Sequence, residues 1–155
     1  MKIVIQCAAR KHPSAGRLRT TAGSEVLFVA QPALAPPDAI RYRARPDDVS
    51  DDRRTWRERL IACNAAADNP LNLLPAYRLY THDAYRALAD RFGLEPLFIL
   101  SAGWELISAN FLTPDFDITF TASADEWKRR RKGDRLQSQA EAGDERTVAS
   151  PTENG

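Results

Sequence analysis

The chain has 155 residues, 43% of them hydrophobic and 28% charged, with a formal net charge of +1. That length and composition fit one domain with a packed core and exclude global disorder. The near balance of charge leaves no overall excess to draw nucleic acid or a basic partner, so any such partner must be met by a local patch.

Cys7 and Cys63 are too few for a disulfide framework, and His12 and His82 give no zinc spacing, so neither a metal nor a cofactor is expected. The run Ile3-Val4-Ile5 is too short for a signal peptide, and no stretch is long enough to span a bilayer. A soluble cytoplasmic protein with no membrane partner is the expectation.

Lys2 to Cys7 reads as a first strand, and its continuous β-branched apolar run suits burial on both faces. It ends in Ala8-Ala9-Arg10-Lys11-His12-Pro13, where small residues allow close backbone approach and Lys11 and His12 can meet an anion. Ser14 to Ser24 is a polar loop, and Glu25 to Ala30 a second strand. Residues 31–52 carry Pro32, Pro36, Pro37 and Pro46, which rule out a long helix and predict an extended excursion.

Asp51 or Asp52 can cap a helix running to about Ala66, with Trp56, Leu60, Ile61 and Cys63 near one face. After Asp68-Asn69-Pro70 comes an apolar segment with one embedded arginine, Arg78, which calls for a carboxylate or phosphate partner. Thr81 can cap the next helix. Tyr85, Leu88, Ala89 and Phe92 then fall at i, i+3, i+4 and i+7, and Gly93 ends the helix. Leu97 to Leu100 follows at once as a buried strand, which makes half of a βαβ unit. The run closes in Ser101-Ala102-Gly103-Trp104-Glu105, small residues followed by an aromatic and an acid, as a strand does when it delivers its end to a cleft.

Trp104 to Ala109 reads as a helical turn, and Phe111 to Asp117 as a loop with two acids. Ile118 to Thr121 alternates like a short edge strand. Ser123 can cap a helix containing Asp125, Glu126 and Trp127. Lys128-Arg129-Arg130-Arg131-Lys132 is either a grip on phosphates or a solvated basic run, and no base-reading motif accompanies it. The domain is expected over 1–132, with residues 133–155 a disordered polar tail. The fold class is α/β, a three-layer Rossmann-like arrangement with a small, mostly parallel sheet.

Several candidates for chemistry stand on the residues themselves. Cys7 is a nucleophile if Lys11, His12 or a helix N-terminus lowers its pKa, and otherwise a buried strand-end thiol. Asp115 and Asp117 can act as general base or ligand, or simply satisfy their own turn. Glycine-rich phosphate signatures are absent, which weighs against an NTPase or NAD enzyme.

Four short motifs occur in order: Cys7 with Lys11 four residues on, Arg78-x-Tyr80 before a helix, Ile99-Leu100-Ser101-Ala102, and Pro114-x-x-Asp117-x-Thr119. Together they resemble a bacterial family of small α/β proteins related to the YaaA-like peroxide-stress proteins, over about Ile3 to Thr121. That resemblance implies a nucleic-acid-associated role in DNA damage or stress response, or alternatively a nucleotide- or nucleobase-acting enzyme. It implies one pocket in which Cys7, Ser101 and Asp117 are catalytic and Lys11, Arg78, Tyr80 and Trp104 bind the ligand. Lys128, Arg129, Arg130, Arg131 and Lys132 would hold nucleic acid. The chain departs from the pattern at Ala8, at Gly103 where a basic residue is expected, at Glu105 where a glycine is expected, and at Phe116 where the aromatic carries a hydroxyl. Relatives continue with further strand and helix, so the resemblance implies a sheet incomplete at its C-terminal end.

Overall fold

The computed structural model describes residues 1–130. The residues expected to form a polar tail, and Arg131 and Lys132 of the basic run, lie outside them. The described chain is α/β, with short strands in three small sheets and three α-helices.

In the first sheet, β1 (Ile3–Gln6) runs parallel to β5 (Leu97–Ser101), from Ile3 opposite Leu97 to Gln6 opposite Leu100. β5 then turns back into β6 (Glu105–Ser108), its antiparallel neighbour. β5 is the central strand and is almost wholly buried. β1 lies at the sheet edge with one face in water, and Val4 is 45% exposed. Its apolar run therefore does not mean burial on both faces, which needs a neighbour or a covering layer on each side.

The second sheet is all parallel. β2 (Val26–Val29), fully buried, lies between β3 (Tyr42–Ala44) and β8 (Phe116–Asp117). The third pairs β4 (Leu74–Pro75) with β7 (Leu112–Thr113) antiparallel. The proline-rich excursion contains only a 3-10 turn at Pro32–Leu34 and β3.

The helices are α1 (Trp56–Ala65), α2 (Ala76–Leu79) and α3 (Ala84–Phe92). Thr55, not Asp51 or Asp52, caps α1: its hydroxyl oxygen accepts from the Glu58 N–H at 3.1 Å, in the Thr-x-x-Glu spacing of a capping box. Asp51 accepts instead from the backbone and side chain of Thr21. Thr81 does not cap α3. Its N–H donates to Arg10, and the Ala84 N–H finds His82 Nδ1 at 3.1 Å. Gly93 ends α3 as expected, with φ 80° and its N–H on Ala89.

The stretch after Gly103 is a strand, not a helical turn. Glu105 has φ 69°, a left-handed conformation that reverses the chain onto β5. The pairing beyond it falls at β7 and β8, within the expected loop. Ile118 to Thr121 contributes one bridge, from Thr119 to Arg129, and Glu126–Lys128 forms only a 3-10 turn.

The core gathers where the sheets meet α1. Phe28 of β2 stands edge-on to Trp104 (4.8 Å between centroids) and to Trp56 of α1 (6.0 Å). Edge-to-face pairs of this kind add about 0.5–1.5 kcal/mol beyond the burial of their area. Among the described residues no helix is long and apolar enough to cross a membrane.

Candidate functional site

Four of the residues singled out from sequence meet where β1 and β5 end. The Cys7 N–H donates to Leu100 at 2.9 Å and extends the parallel register by one residue. That sets the Cys7 sulfur against the start of the β5–β6 turn, where the Ala102 N–H donates to Sγ at 3.3 Å. Burial raises the Cys7 pKa. The Ala102 N–H and the charge of Lys11 pull the other way and prevail only in part. That burial works against the thiolate form that a nucleophile needs.

Ser101 closes the same turn. Its fully buried hydroxyl oxygen accepts from the N–H groups of Gly103 (3.2 Å) and Trp104 (3.0 Å). The turn lies so close to β8 that a Cβ on residue 103 would stand 2.9 Å from a ring carbon of Phe116. A side chain at 103, such as the basic residue of the family pattern, therefore conflicts with this placement of Phe116. Glu105, where that pattern has glycine, holds a φ that favours glycine.

Lys11 enters from the segment after β1, which bridges Tyr80 antiparallel. Its ammonium lies 4.1 Å from the centre of the Phe116 ring and donates to Ala9 at 3.2 Å. No carboxylate among the described residues is within ion-pair distance of it. Burial lowers its pKa, opposed in turn by its electrostatic interactions with Asp115, Cys7 and Asp117 and assisted by Lys128. Asp115 is held by Arg17 at 2.9 Å, and Asp117 by Lys128 at 3.4 Å.

Tyr80 lies inside, stacked 4.7 Å from Tyr85. Among the described residues its hydroxyl forms no hydrogen bond of ordinary geometry, although Ser101 is close enough to lower its pKa. Burial, followed by Cys7 and Tyr85, holds that pKa well above the usual tyrosine value. Tyr85 donates to the Gln6 carbonyl at 2.6 Å, and burial is the main cause of a pKa pushed up to about 12.

Other expected members lie elsewhere or are otherwise engaged. Arg78 is exposed and away from the strand ends. Its Nε donates to the Tyr77 hydroxyl at 2.9 Å, and no carboxylate among the described residues pairs with it. Trp104 is fully buried, with its ring on Phe28 and 5.8 Å from the Arg57 guanidinium carbon. In the described part of the basic run, Lys128 faces Asp117, and Arg129 reaches the Ala122 carbonyl at 3.5 Å. Arg130 donates to the Ala102 carbonyl at 2.8 Å and to Glu105 Oε1 at 2.9 Å.

Glu105 is a member that the sequence reading missed as a charge partner. Its carboxylate is buried between Arg130 and Arg57, the latter at 3.7 Å, and Arg57 also holds Asp47 at 2.6 Å. The signal was an acid inside the apolar run Trp104 to Ile107, because a charge there requires a buried counter-ion. Ala102 links the two halves: its N–H reaches Cys7 and its carbonyl Arg130. Among the described residues no group of three or more His, Cys, Asp and Glu could hold a metal ion.

Burial works against a thiolate at Cys7 and the Ser101 oxygen is committed to the turn, while Lys11 meets no carboxylate at ion-pair distance among the described residues. It is a partly buried amine beside two carboxylates that already have cation partners. Such a group can bind an anion or a carbonyl oxygen and can exchange a proton. Comparison of the chain with protein-family models, with curated proteins and with solved structures finds no match.

Proposed function

We propose that the chain binds a nucleotide or nucleobase at the strand ends of β1 and β5, with Lys11 as the group that meets the ligand. The observation that carries this reading is the Lys11 ammonium itself, partly buried, poised over Phe116 and paired with no carboxylate among the described residues. A desolvated cation without a counter-ion is costly to keep, and an anionic or carbonyl-bearing ligand offsets that cost. Its lowered pKa also moves the amine toward the range where it can serve as general acid or base, and Asp117 and Asp115 stand beside it to orient the ligand. Cys7 and Ser101 shape the wall in this account and form no covalent intermediate. The YaaA-like relationship, the three-layer Rossmann-like arrangement with an incomplete C-terminal end, and a cytoplasmic location belong to the same proposal. The parallel pair β1–β5 with its site at the C-terminal ends of both strands supports the Rossmann-like part of it.

The test is a calorimetric titration of the protein with a panel of nucleoside monophosphates and free nucleobases. At least one ligand binds saturably, and Lys11→Met weakens it by about 1.5–3 kcal/mol, the usual worth of a hydrogen bond to a charged group. Binding that Lys11→Met leaves unchanged, or none by any member of the panel, contradicts the proposal.

A second reading is a nucleic-acid-associated protein of the DNA-damage or stress response, gripping phosphates through the run that begins at Lys128. The partial exposure of the Lys128 side chain, 31% at the edge of the same cluster, favours it, and its pairing with Asp117 counts against it. The commitment of Arg130 to Glu105 and Ala102 leaves that part of the grip already occupied. DNA binding that weakens steeply with added salt supports this reading, and salt-independent binding counts against it.

A further inference from the structure

Lys11 and His12 are consecutive residues in an extended, bridged segment, so their side chains leave on opposite sides. Lys11 faces the strand-end cluster. His12 faces a separate hollow of about 660 Å³, where Arg78 and Arg86 join it. The size is within the range of small-molecule sites. Tyr77, Ser14 and Thr81 supply an aromatic face and two hydroxyls, and Asp90 is the one carboxylate on the wall.

The polar groups of this hollow are arranged, and their arrangement leaves donors over. His12 is fixed through Nδ1, which lies 2.7 Å from the Ser14 hydroxyl and accepts from the Ser14 N–H at 3.2 Å, so Nε2 is left for another partner. Arg86 spans the link from α2 to α3, donating to the Tyr80 and Thr81 carbonyls and to Asp83 at 2.8 Å. Arg78 keeps only its Nε bond to the Tyr77 hydroxyl, with its guanidinium carbon 5.4 Å from the centre of that ring. The two terminal nitrogens of Arg78 have no carboxylate partner among the described residues. A guanidinium fixed on one edge and free on the other is suited to bidentate recognition of a phosphate.

We infer that this hollow is a phosphate-binding site, distinct from the Lys11 cluster, in which the free edge of Arg78 and the His12 ring take the phosphoryl oxygens. Asp90, the one carboxylate among the described lining residues, disfavours a second anion in the hollow. The Tyr77 ring gives a base or sugar attached to that phosphate a flat surface to lie on. Arg78 thus has an anionic partner after all, on the opposite side of the segment from Lys11.

Nuclear magnetic resonance on isotopically labelled full-length protein tests the inference, with inorganic phosphate and adenosine monophosphate as separate probes. Both probes are expected to shift the Arg78 Nε–H and His12 ring signals saturably. Tighter binding by the monophosphate would place the base on Tyr77, and equal binding would restrict the site to the phosphate alone. Arg78→Gln is the informative variant, since Arg78 is exposed and its loss leaves the circular dichroism unchanged. It is expected to weaken phosphate by about tenfold, the worth of one charge-assisted pair. Lys11→Met should leave phosphate binding here intact, which separates failure of this site from failure of the Lys11 cluster. Absence of a saturable shift, or binding that Arg78→Gln does not alter, overturns the inference.

Discussion

Replacing Gly103 by alanine adds one methyl group to the turn between β5 and β6, and its cost can be worked from the geometry. The new Cβ would lie 2.9 Å from Phe116 Cδ2 and 3.0 Å from Cγ, where real contacts of this kind begin several tenths of an ångström farther out. Phe116 is 2% exposed, and Lys11 lies 4.1 Å from its ring centre, so the ring has little room in which to retreat. Overpacking of this kind costs about 1–3 kcal/mol. Urea unfolding followed by tryptophan fluorescence is a suitable assay, because Trp104 and Trp56 are both buried in the adjoining core. Phe116→Leu lowers stability on its own, but it clears the space above residue 103. Gly103→Ala in that background should therefore cost at least about 1 kcal/mol less than in the natural chain. A loss below about 0.5 kcal/mol in the natural chain, or the same loss in both backgrounds, refutes the close approach.

Three further outcomes follow from the same contacts. Glu105→Gln leaves the Arg57 and Arg130 guanidiniums facing a neutral amide in the interior, and should destabilise the fold by about 3–5 kcal/mol in the same urea assay; a change below about 1 kcal/mol would mean that the carboxylate is not the counter-ion. Cys7, measured in a Cys63→Ser protein, should alkylate at neutral pH more slowly than an unstructured cysteine peptide, because burial works against its thiolate form; faster labelling would restore it as a nucleophile. Lys11 has a folded-state pKa below its ordinary 10.5, so between those two values the unfolded chain binds more protons and stability rises with pH. Lys11→Met should flatten that rise, and parallel stability–pH curves for the variant and the natural chain would contradict the burial of the ammonium.

The parts of the fold that were legible from sequence are those with a period long enough to read. Tyr85, Leu88, Ala89 and Phe92 followed by Gly93 define α3 and its end, and the apolar runs define β1 and β2. The turn into β6 was not legible, because it depends on a left-handed φ at an acidic residue that no residue-type preference selects. The pairs β4–β7 and β2–β8 rest on strands of two residues at β4, β7 and β8, too short for alternation to register. The cap of α1 was legible and misassigned: Thr55 and Glu58 carry the box, while Asp51 and Asp52 are drawn to Thr21 and Arg54. In the site, Cys7, Lys11, Tyr80 and Ser101 come together because they sit at the ends of paired segments. Arg78 parts from them because it lies on the exposed side of α2, which its apolar neighbours in sequence conceal.

The central claim rests on one amine. A two-dimensional carbon–proton spectrum that resolves the Lys11 Cε–Hε group, recorded through a titration with nucleoside monophosphates and nucleobases, observes that amine directly. The account predicts a Lys11 midpoint below the ordinary 10.5 in the free protein and a saturable displacement of its signal by at least one ligand. An ordinary midpoint together with a signal that no ligand moves would contradict it.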